Sequence, residues 1–162
     1  MKTFSRAALL CLLLVATAGC DRVTKHYAVT TLAGTPGQSY LADTVRLEYH
    51  ENAGGFLSTG ASWRPGTRAV VFQLANGLFL FGALFMAIRY QWSRLAAAGL
   101  ILFVAGGLSN LIDRVAIGTV IDFMNVGIGS FRTGIFNVAD VAIMAGVGLL
   151  LADRHRWRGA TM

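Results

Sequence analysis

Apolar residues run almost unbroken through four stretches of the chain: Ala7 to Cys20, Ala69 to Ile88, Leu95 to Ile112, and Thr133 to Ala152, the last interrupted by Asp140. A bilayer core about 30 Å thick takes roughly 20 apolar residues per helix and about 17 at the least. Three stretches meet that length. The first does so only if its helix continues through Asp21, Arg22 and Lys25 toward Val29, which places an acid and a base at the membrane boundary. The pattern predicts a membrane all-α bundle of four transmembrane helices, about 7–28, 69–88, 95–112 and 134–152, in a single domain spanning residues 1–162.

The two longer polar segments, about 30–68 and 113–133, fall on the same side of such a bundle. The first is too long for a simple connection and reads as a functional element. Within it Val45, Leu47 and Tyr49 alternate with Arg46, Glu48 and His50, the period of a half-exposed strand, and Gly34-Thr35-Pro36-Gly37 reads as a turn. Asn52-Ala53-Gly54-Gly55-Phe56 follows, either a tight turn that brings backbone near a ligand or an ordinary loop ending the strand. The second segment, with Gly118, Gly127 and Gly129 around Val120-Ile121-Asp122-Phe123, reads as a loop able to bend over a site.

Composition agrees with a lipid environment: 55% of residues are hydrophobic and 14% charged, well under the quarter usual in soluble domains. The net charge of +6 does not point to nucleic acid, because Lys and Arg form no patch interleaved with aromatics. It reflects topology instead. Lys2 and Arg6, the connector Arg89 to Arg94, and the tail Arg154 to Arg158 make short, densely basic inner segments, so both termini are expected in the cytoplasm. Cys11 and Cys20 read as small buried hydrophobes, and His26, His50 and His155 lack ligand spacing, so neither metal nor cofactor is expected. The absence of an internal repeat argues against a transporter built from duplicated halves.

The N-terminus carries a trap. Lys2, Arg6, an apolar run and Thr17-Ala18-Gly19-Cys20 have the form of a lipoprotein precursor's signal, cut before the cysteine. Three further spans, and the polar pair Asp21-x-x-x-Lys25, favour a retained helix.

Ionisable residues inside spans cost a few kcal/mol on insertion scales and therefore mark functional sites. Asp140 lies about one turn into the last span, where Asn137, three residues earlier, can act as its N-cap in a capping box. Asn110, Asp113 and Arg114 share one face at the end of the third span, and Asp113 has a charge partner beside it in Arg114. Asp122 has no basic neighbour and sits among Val120, Ile121 and Phe123, a setting that resists ionisation. The chemistry suggested is a carboxyl pair sharing one proton, with no Ser-His or Cys-His set to compete. The rival class is a small proton-linked membrane transporter with Asp140 as the ion site; a non-enzymatic membrane scaffold is a third.

In order along the chain, Asp21-x-x-x-Lys25, the Asn52-x-Gly54 turn, the Gly-rich Asn110-x-x-Asp113-Arg114, Val120-x-Asp122-Phe123 and Phe136-Asn137-x-Ala139-Asp140 resemble the lipoprotein signal peptidase (signal peptidase II) family. That resemblance implies an intramembrane aspartic endopeptidase that removes signal peptides from prolipoproteins before a diacylglyceryl-modified cysteine. It implies an inner-membrane enzyme in contact with membrane lipids, working without cofactor from the outer, periplasmic side, and a monomer is expected. It maps the catalytic aspartates to Asp122 and Asp140, the supporting polar residues to Asp21, Lys25, Asn52, Asn110, Asp113, Arg114 and Asn137, and the outer segment to a small β-sheet cradle plus a flap. Two positions depart from the family's pattern: Ser109 replaces the usual Gly, and Asn52 to Phe56 is a variant turn.

Overall fold

The computed structural model describes residues 2–55, 58–90 and 92–159. Three of the four apolar stretches lie in helices that overrun them; the fourth, Thr133 to Ala152, enters its helix only at Val138, because Phe136 before it bridges to Met124 as extended chain. α1 (Lys2–Tyr27) passes through Cys20 without a break and ends in a wider π-helical turn, Ala28–Leu32. α2 (Pro65–Arg68) runs through a π-helical stretch, Ala69–Ala75, into α3 (Asn76–Arg89). α4 (Arg94–Ile117) starts on Ser93, whose hydroxyl accepts the Ala96 N–H, and α5 (Val138–Gly159) starts after Asn137.

Where four spans were expected, two segments among the described residues, Pro65–Ala87 and Arg94–Ile117, are long and apolar enough to cross a membrane by length and composition. α1 and α5 are of comparable length but carry Asp21, Arg22 and Lys25, or Asp140 and Asp153, within the helix. The outward surface is apolar on all sides: Leu12 of α1, Phe81 of α3 and Met144 of α5 are 65%, 70% and 62% exposed. A surface of that kind belongs in lipid.

α4 is the central helix and packs against α1, α3 and α5. Small residues on its buried faces let its neighbours approach to backbone distance. At Gly106 a Cβ would lie 2.4 Å from the carbonyl oxygen of Ala139, so any larger residue would push α5 away.

The polar segments form one antiparallel sheet in the order β1-β2-β3-β4: β1 (Gln38–Tyr40), β2 (Val45–Asn52), β3 (Val120–Ile128) and β4 (Phe131–Arg132). The strand expected around Val45 to His50 is β2, and the turn at Gly34 precedes β1, with Gly34 at φ 73°. The loop expected over 113–133 is not a loop. α4 continues to Ile117 and β3 then lies in the middle of the sheet, with Val120, Ile121, Asp122 and Phe123 all buried. A strand covered on both faces shows no alternation, which is why the sequence did not display it.

Pairing of β2 with β3 shifts register between Leu47, opposite Met124, and His50, opposite Asp122. Three steps on β2 thus match two on β3, a bulge. Its effect is one of parity. Counted from Leu47, strict alternation would turn Asn52 to the opposite face from Asp122; the extra residue brings both to the same face.

Candidate active site

Three asparagines carry the geometry. In each, an obligatory donor occupies the amide oxygen, so the NH2 must point the other way, toward an aspartate. Asn52 Oδ1 accepts the Gly54 N–H at 2.9 Å, and its Nδ2 donates to Asp122 Oδ2 at 3.1 Å. Asn137 Oδ1 accepts the Asp140 N–H at 2.9 Å, and its Nδ2 donates to Asp122 Oδ1 at 2.7 Å. Asn110 Oδ1 accepts from Lys25 Nζ at 2.8 Å, and its Nδ2 donates to Asp140 Oδ1 at 2.9 Å. Asp140 Oδ2 in turn accepts the Asn137 N–H at 3.1 Å, closing the capping box expected at the start of α5.

Asp122 and Asp140 therefore share a scaffold, and both line one cavity of about 920 Å³. Part of its wall is apolar, from Leu80 on α3, Phe103 on α4 and Ile143 and Met144 on α5. Asp122, on β3 outside the helices, is 2% exposed. Burial, and then the charge of Asp140, push its carboxyl up from 3.8 to about 6, against the lowering effect of the Asn52 and Asn137 hydrogen bonds and of Lys25.

Behind the pair lies a buried ionic cluster. Lys25 Nζ meets Asp21 Oδ2 at 2.8 Å and Asp113 Oδ2 at 2.7 Å in addition to Asn110, which uses all three of its protons. Arg22 Nη2 meets Asp113 Oδ1 at 2.5 Å and lies 3.5 Å from Asp21 Oδ2. Two acids thus face two bases, and no net charge is left in the interior. Asp21 Oδ1 accepts the Ala139 N–H at 2.8 Å, which ties α1 to the first turn of α5.

The structure brings all the sequence-expected residues into this region, with one correction. Asp113 is paired with Lys25 and Arg22 and not with its neighbour Arg114. Adjacent helical residues point about 100° apart, and Arg114 turns to the other side. There its Nη2 donates to the Gly54 carbonyl at 2.7 Å and its guanidinium lies 5.5 Å from the centroid of the Phe72 ring, which stacks on Trp63. Gly54 is fixed by space: a Cβ there would lie 2.5 Å from the Thr59 carbonyl oxygen. Phe56 of the variant turn lies outside the described residues.

Four contributors were not anticipated. Arg22 gives no signal along the chain beyond its place next to Asp21 in the continued first helix. Phe72 gave no signal, being one aromatic among many in an apolar stretch. Gln73, whose Nε2 donates to the Arg114 carbonyl at 2.8 Å, and Asn76, which lines the cavity, are amides in a span. Their cost in such a place was the available signal. Among the described residues no group of three or more His, Cys, Asp or Glu side chains is placed to hold a metal.

Comparison with known proteins agrees with this layout. The family described as signal peptidase (SPase) II matches residues 13–156. The chain is 38% identical over 138 residues to the lipoprotein signal peptidase of Sphingopyxis alaskensis, covering 82% of this chain and 76% of that one. It is 39% identical over 116 residues to the lipoprotein signal peptidase of Burkholderia cenocepacia, covering 70% and 68%. Two solved structures, each described as a bacterial membrane enzyme determined by the in meso method, superpose with TM-scores of 0.82 and 0.79. Their sequence identities are 25% and 26%, and they cover 92% and 90% of this chain and 88% and 92% of theirs. With residues 13–156 matched by the family and about nine-tenths of the chain superposed, the chain belongs to the signal peptidase II family.

Proposed function

We propose that this chain is a lipoprotein signal peptidase that hydrolyses the peptide bond before the diacylglyceryl-modified cysteine of prolipoproteins, with Asp122 and Asp140 as its catalytic pair. The observation that carries the reading is two carboxyls on one cavity, each pinned by amide donors that cannot turn away. Like charges so placed favour holding one proton between them.

The ionised member takes a proton from a water, whose oxygen bonds to the scissile carbonyl carbon while the protonated member gives its proton to the carbonyl oxygen. In the collapse of that tetrahedral intermediate the C–N bond breaks and the newly protonated carboxyl donates to the departing nitrogen. The other recovers its proton from the former carbonyl oxygen's hydroxyl, and the pair returns to its one-proton state. Asn110, Asn52 and Asn137 hold the carboxylates, and Lys25 fixes Asn110 from behind. The apolar side of the cavity, lined by Leu80, Phe103 and Met144, suits the acyl chains of the modified cysteine.

The same reading makes the protein a single domain of the inner membrane. It has four spans, both termini in the cytoplasm, the sheet as a cradle on the outer side and the segment after Asn52 as a flap anchored by Arg114. It works as a monomer among membrane lipids and without nucleic acid. The test is incubation of the purified protein with a diacylglyceryl-modified precursor and with its unmodified twin. Cleavage of the first alone is expected. Cleavage of neither, together with ion flux in liposomes, would sink the reading in favour of a transporter.

A further inference from the structure

Ser109 has no part in the chemistry described so far. Its side chain is fully buried, and its hydroxyl donates to Asp21 Oδ2 at 2.6 Å. A serine inside a helix commonly spends its hydroxyl on the carbonyl one turn back. Here the single proton goes to a carboxylate of another helix.

That carboxylate reaches the active site through the backbone. Asp21 Oδ1 accepts the N–H of Ala139, the residue before Asp140, at 2.8 Å. This N–H belongs to the first turn of α5, whose donors have no partner within their own helix. A carboxylate is rigid and planar, so fixing Oδ2 fixes where Oδ1 points. Lys25 also holds Oδ2, but its ammonium is shared with Asp113 and Asn110. The Ser109 hydroxyl serves Asp21 alone, while its carbonyl accepts from Arg22 Nη2 at 3.3 Å. One turn earlier on α4, Gly106 lies against the Ala139 carbonyl. Helix α4 therefore grips both backbone groups of Ala139, one by direct contact and one through Ser109 and Asp21.

We propose that Ser109 is a positioning residue for Asp140, acting through Asp21 and the Ala139 N–H to set the register of the first turn of α5. This deepens the assignment of Asp140 to the catalytic pair and rests on it.

The test compares Ser109→Ala and Ser109→Gly with the unaltered protein in cleavage of a diacylglyceryl-modified precursor peptide, alongside Asp140→Asn. Both Ser109 variants lose the hydroxyl but differ in volume. We expect kcat to fall about tenfold in each, within the range that slight misplacement of a catalytic group costs, with KM within about twofold and, for Ser109→Ala, a modest drop in the midpoint of thermal unfolding from the lost hydrogen bond. A wild-type kcat in Ser109→Ala would overturn the inference, as would a loss that grows with the volume removed and follows the unfolding midpoint. Cleavage by Asp140→Asn would instead overturn the catalytic pair, and the inference with it; an inactive Asp140→Asn beside a fully active Ser109→Ala would remove the inference alone.

Discussion

Replacing Asp122 by asparagine separates the two things its burial does. The wild-type carboxyl is raised from 3.8 to about 6, first by burial and then by the charge of Asp140. The folded protein therefore binds more protons than the unfolded chain between about pH 4 and pH 6. Stability from this group is fully present below the unfolded value and is lost as pH rises through the folded one. Two units correspond to about 3 kcal/mol. Asparagine carries no charge and escapes that loss, but its NH2 must face Asn52 or Asn137, and both present donors there. The mismatch costs about 1–3 kcal/mol at every pH. Asp122→Asn should thus be less stable than wild type at pH 4 and level with it, or slightly above, at pH 8. Thermal unfolding of both proteins in one detergent across that range should show the difference in midpoint climbing by several degrees. Cleavage of lipidated precursor should fall by at least about a hundredfold, the lower end for loss of a general acid or base. A midpoint difference that stays flat with pH would refute the buried, ionising carboxyl. Cleavage within tenfold of wild type would refute its place in the chemistry.

Asn137→Ala removes the cap on the Asp140 N–H and the shorter donor to Asp122 together; about 1 kcal/mol of stability and most of the activity should go, measured by unfolding and by cleavage. Gly106→Ala would set a Cβ 2.4 Å from the Ala139 carbonyl oxygen, and overpacking of this kind costs about 1–3 kcal/mol. Gly148→Ala, whose Cβ would meet nothing within 4 Å beyond its own helix, should leave cleavage unchanged and raise the unfolding midpoint slightly, by the roughly 0.8–1 kcal/mol that alanine gains over glycine in a helix.

What the sequence made legible was local. The helices, the Asn137 cap and the Asp21–Lys25 pair are all set by residues three or four positions apart, within reach of a pattern read along the chain. The bonds that turn these pieces into a site span far greater distances: Lys25 meets Asn110 across 85 positions, and Asn52 meets Asp122 across 70. Such contacts leave no periodicity. Adjacency even misled, since Asp113 stands beside Arg114 yet bonds to Arg22 and Lys25 on a different helix. Strand β3 was hidden because burial on both faces erased its alternation, and the bulge that turns Asn52 toward Asp122 depends on a pairing that only the folded sheet defines.

The ionic cluster behind the site also bears on how the chain is made. On the proposed topology α1 enters the membrane during synthesis long before α4 exists, so Asp21 and Lys25 arrive without Asp113, Asn110 or Ser109. Their spacing of four lets them neutralise each other on a single helix, 2.8 Å apart. The first helix can thus wait in the bilayer with this pair already neutralised, leaving Arg22 beside it as the charge that Asp113 of α4 later meets. When α4 is inserted, Lys25 needs only to widen its grasp to include the new partners. The pair that later steadies the aspartates first serves as a travelling companion for a charge that has not yet met its destination.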